Sequence, residues 1–152
     1  MVEVRVNENN GQNQLHTLNA FGPGDVICTF GARETLDYPT YLTVQTGIDK
    51  HILLAPEILQ YCNHSCSPNV FFDTALMQVV ALEAVEPGDE LTFFYPSTEW
   101  NMAQPFECYC GSSDCLGLIQ GSAFLPEDVL SRYRLTEFVL QQLKLQAKPV
   151  GV

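Results

Sequence analysis

Basic residues are scarce in this chain. Seven Lys and Arg stand against 18 Asp and Glu, a formal net charge of -11 over 152 residues. A surface that binds nucleic acid needs a basic stripe, so the composition speaks against direct nucleic-acid binding. It favours a cationic partner, because long-range fields steer opposite charges together. Long apolar runs are also missing. Nothing approaches the ~20 residues of a membrane span. The opening "MVEVRVNENNGQ" lacks the basic start and apolar stretch of a signal peptide. The expectation is an intracellular protein, in cytoplasm or nucleus, with no membrane partner and an oligomeric state left open. Repeats and low-complexity segments are absent. An apolar content of 46% is that of a folded chain, and the length suffices for one sizeable core. What the sequence does have is cysteine, six in all. Without a signal peptide, metal ligation is a better reading of them than disulfides.

The first two-thirds reads as short strands broken by turns, a mainly β chain. "VEVRV" alternates apolar and polar residues, the period of a half-buried strand. Val26–Phe30, Tyr41–Gln45, His51–Ala55, Asn69–Asp73, Met77–Leu82 and Glu90–Tyr95 also suit strands. Pro-Gly-Asp occurs twice just before a strand, in "GPGDVI" and "EPGDEL". Proline presets φ and glycine accepts φ > 0, so both predict tight turns. "APEILQY" predicts one or two helical turns opened by Pro56. Near the C-terminus "LPEDVLSRYRLTEFVLQQLKLQ" predicts a helix with a break near Leu135. Its apolar stripe would comprise Val129, Leu130, Tyr133, Phe138, Leu140 and Leu143. The tail "AKPVGV" is expected to fray.

"CYCGSSDC" places Cys108, Cys110 and Cys115 within eight residues. They can converge on one Zn²⁺ if a fourth ligand arrives from elsewhere, and an all-sulfur tetrahedral site is structural and closed. Cys66, in "NHSCSPN", is the candidate fourth ligand, with His64 as the competitor. Cys28 and Cys62 lie in apolar segments and read as core residues. A nucleophilic Cys66/His64 pair is the weaker alternative, because a catalytic pair normally meets across space, not across one residue.

Taken together, "NHSCSPNV" (63–70), "EPGDELTFFY" (86–95) and "CYCGSSDCLG" (108–117) resemble the SET-domain protein-lysine methyltransferases that carry a post-SET zinc segment. "GPGDVICTF" resembles that family's N-terminal strand pair. The resemblance implies several small curved sheets with a pseudoknot, plus a C-terminal helix. It implies a SET domain over 1–100, a post-SET zinc segment over 101–121 and a C-terminal helical extension over 122–152. The implied activity is transfer of methyl groups from S-adenosylmethionine to lysines of a basic protein, a histone-like tail being one such substrate. Asn63, His64, Leu15, His16 and Tyr95 would contact the cofactor. Tyr95 is the implied catalytic tyrosine and Tyr41 a second channel tyrosine, with Tyr38 as its alternative. Phe93, Phe94 and Trp100 would wall the substrate channel, with Phe106 nearby, and Cys66, Cys108, Cys110 and Cys115 would hold structural zinc. Phenylalanine at position 93 lacks a hydroxyl to hold a water, which implies di- or trimethylation.

Three departures from the family pattern bear on activity. Gln12, Asn13 and Gln14 occupy the place of a Gly-x-Gly that lets backbone approach the cofactor. Phe94 replaces an aspartate, and an arginine just before Asn63 is missing, with Gln60 nearby. These keep a second reading open: a zinc-stabilised binding module that retains the scaffold without turnover.

Overall fold

The structure, a computed structural model, describes residues 2–147. The tail expected to fray is 147–152; Ala147 is helical, and residues 148–152 lie outside the described residues. In chain order the elements are β1 (Val2–Val6), β2 (Asn13–Thr17), β3 (Val26–Thr29), β4 (Gly31–Leu36), β5 (Val44–Gly47), β6 (Lys50–Ala55), a 3-10 turn (Glu57–Tyr61), β7 (Asn63–His64), β8 (Val70–Asp73), β9 (Gln78–Ala81), β10 (Glu90–Phe93), β11 (Phe106–Glu107), β12 (Leu118–Ile119), α1 (Glu127–Leu130) and α2 (Glu137–Ala147). They form four small sheets, ordered β1-β2-β10-β7, β3-β9-β8, β4-β6-β5 and β11-β12.

The core lies where the first three sheets face one another. Each contributes side chains at alternate positions: Leu91 and Phe93 from β10, Val70 and Phe72 from β8, Ile52 and Leu54 from β6. Burial of each such side chain stabilises the fold by about 1.5–3 kcal/mol. The two Pro-Gly-Asp turns have the same construction. Gly24 and Gly88 take φ of +86° and +94°, as a type II turn requires. In each, the aspartate carboxylate closes the turn by accepting a backbone N–H three residues earlier: Gly22 to Asp25 (2.7 Å), Glu86 to Asp89 (2.9 Å).

Some boundaries differ from the sequence expectation. The strand expected over Tyr41–Gln45 starts at Val44, because Thr43 and Thr40 close a turn through reciprocal side-chain and backbone hydrogen bonds. The strand expected to run to Tyr95 stops at Phe93, where Tyr95–Ser97 tightens into a 3-10 turn around Pro96. The C-terminal helix breaks near Leu135, as expected, into α1 and α2. Thr136 caps α2, its hydroxyl accepting the Val139 N–H (3.3 Å). That start fixes the helix face: Leu135 and Val139 are buried with Leu130, whereas Leu140, assigned to the stripe, is 47% exposed.

The stretch between Trp100 and Gly121 leaves the body and returns to its starting point. Ser122 N–H and Ala123 N–H donate to the carbonyls of Glu99 (2.9 Å) and Trp100 (3.1 Å). A Cβ on Gly121 would lie 2.3 Å from the Trp100 carbonyl oxygen, so only glycine fits where the two ends meet.

Candidate functional site

The opening of "NHSCSPN" is knitted to the end of β10. β7 pairs in parallel with β10, Asn63 opposite Thr92 and His64 opposite Phe93. Ser65 N–H donates to the Phe93 carbonyl (3.1 Å). Asn69 then grips β10 through its side chain: its amide donates to the Glu90 carbonyl (2.8 Å) and its Oδ1 accepts the Thr92 N–H (2.9 Å). The residue types thus dictate the clamp, since a side-chain amide can imitate a strand partner. His64 is fixed at both nitrogens. Nδ1 accepts the Tyr95 N–H (3.1 Å), which leaves Nε2 to carry the proton toward Cys66 Sγ at 3.4 Å. Burial pushes its pKa down to about 4, so the ring is neutral.

Tyr95 and Phe93 line a cavity of about 700 Å³, together with Asn63, Tyr41, Phe106 and Glu99. That volume suits a cofactor or a small-molecule ligand. The Tyr95 hydroxyl donates to the Cys62 carbonyl (3.2 Å), and burial pushes its pKa well up, so it is a neutral phenol whose proton is already committed. Phe93 is wedged between Phe72 and Tyr95, at 4.5 and 4.7 Å between ring centroids. Asn63 donates to the Asn13 carbonyl (2.9 Å), tying the cavity wall to β2.

On the other side of the same segment, the sulfurs of Cys66, Cys108, Cys110 and Cys115 lie within 4.8 Å of one another. Four thiolates at the zinc–sulfur distance of about 2.3 Å in a tetrahedron stand about 3.8 Å apart, so the set fits a zinc ion with small adjustments. Burial pushes the Cys66 thiol up and the Cys108 thiol up to about 11. A divalent cation offsets that cost by drawing the protons off. His64 is not among the four; its imidazole braces the Cys66 sulfur from behind. Tyr133 supports the same residue by donating to the Cys66 carbonyl (2.7 Å).

A family model described as the SET domain matches residues 3–96, more than half of the chain. The chain belongs to the SET-domain family. Over 102 residues it is 53% identical to a protein named methyltransferase flvH from Aspergillus flavus, covering 66% of this chain and 57% of that one. It is 40% identical over 68 residues to a histone-lysine N-methyltransferase, H3 lysine-36 specific, from Chaetomium globosum, covering 41% of this chain and 8% of that protein. A protein of the same name from Saccharomyces cerevisiae is 26% identical over 126 residues, covering 72% of this chain and 17% of that one. The chain therefore spans little more than half of the first relative and a small part of the others. Among solved structures, KRYPTONITE in complex with mCHH DNA, H3(1-15) peptide and SAH superposes with a TM-score of 0.55 at 24% identity, over 77% of this chain and 29% of that one. That likeness is one of fold, and the small sheets seen here are those of the SET fold.

Within this SET domain, several residues expected at the site lie elsewhere. Phe94 does not reach the cavity. Strand alternation turns it to the opposite face from Phe93, where it stacks on Tyr133 with centroids 3.6 Å apart. Trp100 packs with the C-terminal helices instead of walling the channel. Leu15 is a core residue, and His16 is occupied by the Gly88 carbonyl and the Gln14 amide. Neither Leu15 nor His16 lines the cavity; the residues of β2 and its approach that do are Asn10, Gln12 and Gln14, the two glutamines at the departure from Gly-x-Gly. Phe106 does line it, edge-on to His64 at 5.6 Å. Tyr41 sits at the rim, 77% exposed, while Tyr38 is not part of the wall.

Glu99 is the site residue that sequence reasoning missed. It lines the cavity although it is nearly inaccessible to solvent, and burial pushes its carboxyl pKa up to about 7. Its Oε2 accepts the Gln45 N–H (2.9 Å) and the Thr98 hydroxyl (2.6 Å). Gln45 returns the bond through its own Oε1, which accepts the Trp100 N–H (2.8 Å). The signal available in sequence was a lone acid in "PSTEW", which gives no hint that the backbone folds it inward.

Proposed function

We propose that this SET domain transfers methyl groups from S-adenosylmethionine to lysine side chains of a basic intracellular protein, a histone-like tail being the fitting class. The observation that carries the reading is the convergence of Tyr95, Phe93 and Asn63 on one cavity. The names of the relatives support it. Asn63, Gln12 and Gln14 would hold the cofactor, and Tyr41 would guard the entrance. Among the described residues the wall has three glutamates, Glu90, Glu99 and Glu107, and no Lys or Arg, which suits a ligand with sulfonium and amino charges and an incoming ammonium. When bound, S-adenosylmethionine supplies an electrophilic methyl group. The chain's own contribution is to orient the amine and exclude water. The Tyr95 oxygen, its O–H directed at the Cys62 carbonyl, offers lone pairs to the amine. Phe93 keeps the floor apolar and free of a bound water, which favours di- or trimethyl product. Zinc at Cys66, Cys108, Cys110 and Cys115 would hold Phe106 over the cavity as a structural element.

Glutamines where glycines are usual favour the second reading, a zinc-stabilised module without turnover. Calorimetry with S-adenosylmethionine, on zinc-replete protein and on Tyr95→Phe, separates the two. Both proteins should bind the cofactor, and the parent should methylate mixed core histones, with Tyr95→Phe slower by about 10²-fold. Folded, zinc-loaded protein that binds no cofactor would establish the module instead.

A further inference from the structure

The reaction proposed above leaves one proton without a destination. A lysine arrives as an ammonium, with a pKa of about 10.4 in water, and its nitrogen has no lone pair until that proton leaves. Tyr95 cannot take it: it is a neutral phenol bonded to the Cys62 carbonyl. His64 cannot take it either, since its Nδ1 is filled by the Tyr95 N–H and its Nε2 faces Cys66. Cys62 is buried against the Leu91 carbonyl, its thiol pushed well up. Of the remaining acids on the wall, Glu107 is exposed and bonded to the Tyr109 hydroxyl, and Glu90 opens β10 next to β2.

Glu99 differs from all of these. Its N–H donates to the Tyr95 carbonyl (3.1 Å), closing one turn of helical spacing, so that Tyr95 and Glu99 stand on one side of the chain. Both line the same cavity, and the Glu99 charge acts on the Tyr95 phenol. One of its oxygens is held by Gln45 and Thr98, which orients the group. We propose that Glu99 receives the substrate amine, pairing with the ammonium in the cavity and accepting the proton that must leave before nitrogen attacks. This rests on the methyltransferase reading of the site and deepens it. One proton passes from the ammonium nitrogen to a Glu99 oxygen, leaving a neutral amine and a neutral carboxyl group. The freed nitrogen pair then forms the N–C bond as the S–C pair withdraws to sulfur, and nitrogen takes up the positive charge. Glu99 returns its proton to solvent when product leaves. A carboxyl that titrates near neutrality is well matched to this exchange.

The test is the pH profile of methyl transfer to mixed core histones from about pH 6 to about pH 10, for the parent, Glu99→Gln and Thr98→Val. The glutamine keeps an acceptor for Gln45 and Thr98 but takes no proton. At pH 7.5 it should be slower by about 10²-fold. Toward pH 10, where lysine sheds its proton unaided, the deficit should shrink to a few-fold. Thr98→Val removes a hydroxyl that favours the ionised carboxylate, so the acid limb of its profile should move to higher pH. A Glu99→Gln deficit of equal size at every pH, or none at any pH, overturns the proposal. If Glu99→Gln does not fold, an unmoved acid limb in Thr98→Val does the same. Calorimetry with n-butylammonium as the probe gives a readout independent of turnover: the parent should bind it and Glu99→Gln at least tenfold more weakly. Equal binding overturns the proposal. Failure to bind S-adenosylmethionine, by contrast, sinks the methyltransferase reading and leaves the amine-binding result to be judged on its own.

Discussion

The sheets around β10 and the segment from Trp100 to Gly121 are ordered by different means. Around β10 a cluster of fifteen buried residues joins three sheets, and the backbone is paired on both sides of the strand. The segment packs into a cluster with three buried apolar residues, Cys66, Cys108 and Ile119, and has a two-residue strand pair. One of those three is borrowed from the body. Apolar burial alone does not hold such a stretch against its chain entropy; four sulfurs about a cation can. "NHSC" is where the two regimes meet. His64 belongs to the paired body, and Cys66, two residues on, to the metal corner. Order above the cavity should therefore depend on a cation, whereas order at its floor should not.

Removing the cation should separate the two regions most sharply. Chelation should abolish protection of amides between 101 and 121 in hydrogen exchange, and methyl transfer should fall by about 10²-fold or more, while β10 stays protected. The same amides remaining protected would show that the segment stands on packing after all. Gly121→Ala attacks the junction instead, forcing Trp100 away from the returning chain. It should cost about 3 kcal/mol in urea unfolding, zinc present or absent.

Inside the body, Glu99 makes stability depend on pH. Its folded pKa, about 7, lies above the ordinary carboxyl value, so the folded state holds this proton more tightly than the unfolded chain. Its favourable contribution is complete below about pH 4.5 and is lost as pH rises through about 7. Glu99→Gln should therefore be the more stable protein above pH 8, by about 3 kcal/mol, with the difference gone below about pH 4.5. A gap independent of pH would place its origin in packing. The smallest effect concerns the strut between the regions: Tyr133→Phe, which keeps the stack on Phe94 but loses the bond to the Cys66 carbonyl, should cost about 1 kcal/mol. It should also raise the chelator sensitivity of the corner.

The parts legible in sequence are those where residue type alone decides geometry. Asn69, the two Pro-Gly-Asp turns and the spacing of Cys108, Cys110 and Cys115 each admit few arrangements. β4 was invisible because "GARETL" is largely exposed and carries no alternation of apolar and polar residues. β2 was missed for a related reason: "NQLHT" holds one apolar side chain, and its place is set by pairing with β1 and β10. Phe94 was misplaced because an aromatic next to a motif tyrosine looks like channel wall, and only the strand register sends it to Tyr133. Val139 and Leu140 are interchangeable on a helix of unknown start, and the Thr136 cap decides between them. Glu99 was hidden because its burial comes from a long-range partner, Gln45, and nothing local announces it.

The meeting of Glu99 and Trp100 with Ser122 and Ala123 has a consequence for how this chain can vary. A stretch whose two ends are bonded to each other presents the body with the same pair of anchor points whatever its length. Closing a flexible loop twice as long costs only about 0.6 kcal/mol more. Residues between 101 and 107 could thus be lengthened, shortened or exchanged with little effect on the sheets beneath. The lip of the cavity, where substrates would be told apart, is thus open to change by descent or by design, whereas the clasp that closes it, with Gly121 against Trp100, is not.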